Sequence, residues 1–98
     1  MPRTVILSTA RTPIGRLGGG LSSVDAVVLG GLAIGAALER AGVVGGVVDH
    51  VVMGQVLQAG QGQVPSRQAQ INGGIPREVS SETVNKVCAS GGAGGGVA

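Results

Sequence analysis

Apolar positions fall in three short β-branched blocks, with one long helical pattern and one short one between them. Residues 4–9, TVILST, form the first block, closed by the turn-prone run Arg11-Thr12-Pro13-Ile14-Gly15. That pattern predicts a buried strand followed by a loop, which continues through GRLGGGLSS at 15–23. Over residues 24–41 the period changes. Val24, Val27, Ile34, Leu38 and Ala41 share one face, and Leu29, Leu32, Ala33 and Ala36 share another. A helix apolar on several sides is expected to be covered by more than one layer. Ser22, three residues before Asp25, suggests a loose capping box, and Gly42 a C-cap.

The second block, VVDHVVM at 47–53, predicts another strand, followed by a Gly/Gln-rich loop over 54–64. Pro65 suits the first turn of a short helix through Asn72, which Gly73-Gly74 would end. ETVNKVC at 82–88 is the third strand. The tail ASGGAGGGVA is expected to be helical if Cys88 opens a helix, although five glycines between 91 and 96 oppose this on propensity. The resulting order is β-α-β-α-β-(α). Such alternation implies an α/β fold with parallel pairing, right-handed crossovers and a sheet covered on both faces.

Composition adds a constraint. The chain has 98 residues, 20 of them glycine, and no Phe, Tyr or Trp. The side chains that bury most area are missing, and each glycine adds backbone entropy to the cost of folding. The expectation is a part of something larger rather than a self-sufficient core. Net charge is +2, and the seven cations are scattered. With no basic cluster and no aromatic for base stacking, nucleic acid is excluded as a partner. No apolar run reaches membrane-spanning length, and MPRTVILSTARTP lacks the form of a signal peptide. A single cysteine forms no internal disulfide and fits a reducing compartment, so a cytoplasmic location is expected.

The glycine stretches do not make a phosphate loop. None fits G-x-x-x-x-G-K-[ST], and no G-x-G-x-x-G stands between a strand and a helix. His50, the lone histidine, reads as a partly exposed sheet residue. One His and one Cys without ligand spacing make no metal site. Cys88 is different. A thiol at the mouth of a helix meets unpaired N–H groups and the positive dipole end, which favour the thiolate, its nucleophilic form. Those N–H groups also suit a carbonyl oxygen that is gaining charge. Small Ala89, Ser90 and Gly91 leave the sulfur accessible.

Four segments, in order, resemble the N-terminal part of the thiolases, the acetyl-CoA C-acetyltransferase and 3-ketoacyl-CoA thiolase family. They are STARTPIGR at 8–16, ALERAGV at 37–43, VDHVVMGQVLQAGQGQVPSRQA at 48–69 and TVNKVCASG at 83–91. The resemblance implies a five-layer αβαβα fold of two similar halves, with residues 1–98 a partial N-terminal domain that stops ten residues after the cysteine. It implies that Cys88 is acylated by an acyl-CoA and passes the acyl group on, with its backbone N–H as an oxyanion donor. No bound cofactor is implied, and coenzyme A thioesters are substrates. The family resemblance also implies a homodimer or homotetramer.

The family's other catalytic groups are a His in an Asn-rich motif, a His in a Gly-His-Pro motif and a second Cys. They come from later in the chain, and His50 matches neither histidine. The 98 residues alone are therefore expected to be inactive, an interaction segment or relic being the alternative reading. A ketoacyl-synthase-like condensing enzyme is a further alternative, opposed by GQVLQAGQGQVPSRQA.

Overall fold

The computed structural model describes residues 3–92. Their order is α1 (Ala26–Ala41), a 3-10 turn (Gly45–Val47), β1 (His50–Gly54), α2 (Pro65–Asn72) and β2 (Ser80–Val84). β1 and β2 pair in parallel, from His50 opposite Ser80 to Gly54 opposite Val84. α2 is the connection between them and packs on both strands and on α1. This is the βαβ unit that the alternating pattern predicts.

Punctuation residues set the helix ends. Gly42 closes α1 in the left-handed conformation, φ 69°, which a residue without Cβ adopts at little cost. Pro65 opens α2, and Gly73 caps it. The expected capping box is not formed. Asp25 is the N-cap of α1 and makes no side-chain cap bond, while the Ser22 N–H donates to Gly19 in a turn ahead of the helix.

α1 meets α2 at glycines. A Cβ at Gly31 would stand 2.4 Å from the Asn72 Cβ and 3.0 Å from its carbonyl carbon. Close backbone approach substitutes here for the aromatic packing that this sequence lacks. The apolar core is Val51, Ala69 and Ile75. Beside it Gln70, fully buried, donates from Nε2 to the carbonyls of Pro76 and Val79, both at 2.7 Å. Arg67 donates to Val79 and Arg77. These two α2 side chains pin the connection that leads into β2. Removing the buried donor takes the shorter bond from each carbonyl, leaving Pro76 O the Val79 N–H and Val79 O the Arg67 guanidinium. Gln70→Ala is therefore expected to lower stability by about 1–2 kcal/mol, read as a reduced urea midpoint. An unchanged midpoint would show that these bonds contribute nothing.

Three expectations need correction. Residues 4–9 belong to no sheet. They lie along the C-terminal half of α1, where Ser8 Oγ donates to Ala37 at 2.6 Å and Arg40 donates to Thr9 at 2.9 Å. A strand needs a neighbour about 4.8 Å away. Between this segment and β1 there is instead an apolar groove of about 440 Å³, lined by residues including Ile6, Leu7, Leu38, Val51 and Met53. Ile6 is consequently 82% exposed. A β-branched composition favours a strand, but pairing depends on a neighbour.

Secondly, α1 is not covered on all its apolar sides. Gly31 is buried against α2, whereas Val28 and Leu32 are exposed. Thirdly, β2 covers residues 80–84 rather than 82–88, so Cys88 follows the strand instead of ending it. The glycine-rich tail expected to be helical falls largely on residues 93–98, which lie outside the described residues.

Candidate functional site

β2 hands the chain to a tight turn. The ladder's last bond runs from the Gln55 N–H to Val84 O at 2.9 Å. Asn85 then leaves the sheet. Asn is a poor strand residue because its side chain competes for nearby backbone groups. Here its Oδ1 accepts from the Val87 N–H at 2.9 Å, and its Nδ2 donates to Val56 O at 2.8 Å. Val87 is held at φ 52°. A β-branched residue in the left-handed region costs on the order of 1–3 kcal/mol. Cys88 follows and is exposed. Helical backbone starts at Ser90, two residues beyond the sulfur. Cys88 thus precedes the helical turn rather than opening it.

Ser90 is 4% exposed. Its Oγ accepts from the Lys86 N–H at 2.8 Å and lies 2.7 Å from Val87 O, its nearest acceptor. Gln55 O is a second acceptor at 3.3 Å. The N–H of Ala89 donates to Lys86 O, and that of Ser90 to Val87 O. The amides of residues 86, 87, 89 and 90, flanking the thiol on both sides, are therefore all committed within the turn. Below it, β1 ends in a glycine. A Cβ at Gly54 would fall 2.7 Å from the Ser90 carbonyl carbon and 2.8 Å from the Gly91 nitrogen. The turn rests directly on the end of the neighbouring strand.

The other sequence candidates are placed apart from this turn. His50 bridges the two strands through Ser80 Oγ at 2.6 Å and Glu82 Oε1 at 3.1 Å. Both ring nitrogens are occupied in cross-strand bonds, as befits a sheet residue. Among the described residues, no cluster of three or more His, Cys, Asp or Glu is placed to hold a metal ion. In the PSRQAQ motif three polar side chains bind backbone, while the buried Ser66 Oγ has no hydrogen-bond partner among the described residues. Gln68 donates to Gln61 and Gln63, while Arg67 and Gln70 hold the α2–β2 connection.

In the sequence Asn85 and Gly54 are given no role, and Ser90 stands only as a small residue beside the sulfur. Asn85 had a signal, since an Asn inside a predicted strand marks an exit. Ser90 and Gly54 had none, because their contact joins residues 36 positions apart.

These features define a parallel α/β unit that presents an exposed thiol on a strained turn at the exit of a sheet strand. The comparisons with known proteins are specific. Residues 4–95 match the family model of the thiolase N-terminal domain, and the chain belongs to that family. It is 59% identical over 87 residues to the mitochondrial acetyl-CoA acetyltransferase of Xenopus tropicalis, spanning 89% of this chain and 21% of that protein. Against the acetyl-CoA acetyltransferase of Cupriavidus necator it is 54% identical over 91 residues, spanning 93% of this chain and 23% of that protein.

The solved structure of acetyl-CoA acetyltransferase from Syntrophomonas wolfei superposes with a TM-score of 0.90 at 43% identity, over 95% of this chain and 24% of that one. The thiolase-like α/β fold expected from the sequence is borne out. The chain spans about a fifth of the length of the curated relatives it matches. Those relatives include proteins named as mitochondrial and as cytosolic. No helix among the described residues is long and apolar enough to cross a membrane.

Proposed function

We propose that residues 1–98 supply the nucleophile of a thiolase, an acetyl-CoA C-acetyltransferase, as the first part of its N-terminal half. The observation that carries this reading is the exposed Cys88 on a turn whose flanking amides are spent on the turn itself. The Cys88 thiolate attacks the thioester carbon of an acyl-CoA. A C–S bond forms, and the carbonyl pair moves to oxygen. The N–H of Cys88 is the donor we assign to that oxyanion. Collapse expels coenzyme A as its thiolate, which takes up a proton, and leaves the acyl group on sulfur.

A second acetyl-CoA, deprotonated next to its carbonyl by a base from elsewhere in the enzyme, attacks the acyl carbon. Cys88 leaves, and a 3-ketoacyl-CoA departs. Splitting one exchange into two covalent steps is what the thiol contributes. Coenzyme A thioesters are substrates, and no resident cofactor takes part. The working form is a cytoplasmic homodimer or homotetramer.

The test uses the polypeptide as its cell makes it. It is mixed with labelled acetyl-CoA, quenched in acid and digested. The label is expected on the peptide containing Cys88, as a hydroxylamine-labile thioester. Turnover with no label there would overturn the assignment.

A further inference from the structure

We propose that Ser90 is a positioning residue for Cys88, fixing how the thiol and its own N–H face an incoming thioester. The proposal rests on Cys88 being the nucleophile. One buried hydroxyl closes the ring of residues 86–90, accepting from the Lys86 N–H and donating to Val87 O. Val87 is the residue held at positive φ. Its N–H is gripped by Asn85 Oδ1 and its carbonyl by Ser90 Oγ, so both of its backbone polar groups are tied down.

Asn85 and Ser90 also reach back to the segment leaving β1, at Val56 O and Gln55 O. Gly54 lets the Ser90 backbone sit against that segment. Without the Ser90 hydroxyl, the Lys86 N–H loses its partner and Val87 O keeps only the longer bond from the Ser90 N–H, so Val87 can relax towards negative φ. That relaxation rotates the Val87–Cys88 peptide. The Cys88 N–H turns with it, relative to Sγ. The sulfur stays exposed and reactive, but sulfur and oxyanion donor no longer converge on one carbonyl. A small misalignment of this kind costs rate rather than affinity.

Ser90→Ala in the polypeptide as its cell makes it is expected to lower kcat for acyl transfer by about 10- to 100-fold, with KM within about twofold. Alkylation of Cys88 by iodoacetamide, which needs no oxyanion donor, should keep the wild-type rate. Ser90→Thr, which retains the hydroxyl, should recover most of kcat. Asn85→Asp, which keeps the acceptor for Val87 but loses the bond to Val56, is a second variant should Ser90→Ala fail to fold. It should lower kcat in the same sense, compared at equal thiolate fraction because the added carboxylate disfavours the thiolate.

An unchanged kcat in Ser90→Ala, or in Asn85→Asp if that variant stands in for it, overturns the proposal. So does a loss that Thr fails to rescue and that parallels faster alkylation, the mark of a merely loosened fold. If the wild-type protein turns over without acylating Cys88, the functional reading itself has failed, which the labelling experiment reports separately.

Discussion

Cys88→Ala is expected to abolish acyl transfer, lowering turnover on the order of 10⁴-fold or more, the scale seen when a covalent nucleophile is removed. Stability should barely change, because the side chain is exposed and fills no core position. Exposed substitutions away from caps and networks usually stay within about 0.5 kcal/mol. Turnover and melting temperature measured on the same preparation therefore separate the two effects. A lost activity with an unmoved melting temperature assigns the chemistry to the sulfur. Retained activity would mean that another group carries the acyl chain. Cys88→Ser should fall near the Ala variant, since a hydroxyl without a dedicated base is a weak nucleophile.

The second large effect concerns the helix contact. Gly31→Val is expected to destabilise the fold by about 2–3 kcal/mol, because added volume in a packed site forces backbone shifts. Its Cβ would lie 2.4 Å from Asn72 Cβ, and that neighbour is itself anchored by a bond from Nδ2 to Val27 O at 3.2 Å. Helix propensity works the other way, since Gly is about 1 kcal/mol worse than Ala inside a helix. Crowding wins at Gly31. At Gly35 the balance reverses. There a Cβ would meet only Gly73 O at 3.6 Å, an ordinary contact. Gly35→Ala should accordingly stabilise by about 0.5–1 kcal/mol. Urea melts of the two variants test the pair, and shifts of the same sign would contradict the contact geometry described here.

Local signals in the chain were enough for α1 and α2. A long 3.6-residue period, Gly42, Pro65 and Gly73 mark boundaries that the structure keeps to within two residues. β1 and β2 were legible as β-branched blocks, but their ends were not. The Asn85 side chain, rather than the apolar pattern, decides where β2 stops. Residues 4–9 illustrate a different limit. Their composition favours a strand, while sheet membership depends on a neighbour at the correct distance. Cys88 was legible as the thiol between a strand and small residues. The seat of Ser90 on Gly54 was not, because that contact joins residues 36 positions apart, whereas Asn85 carried a local signal, its Oδ1 holding the Val87 N–H two residues on.

The parallel pairing of β1 with β2 also sets an order of events. Every rung joins residues 30 apart, and the seat for Ser90 is built at Gly54. Closing such a span costs chain entropy before any contact repays it, which makes parallel pairing a late and slow event in folding. As the chain emerges during synthesis, the helices can form from local signals while Cys88 is still on a loose segment. The strained turn has nothing to rest on until the two strands zip together. The shape of the turn that carries the thiol is thus a property of the finished sheet, acquired only when the two strands have paired.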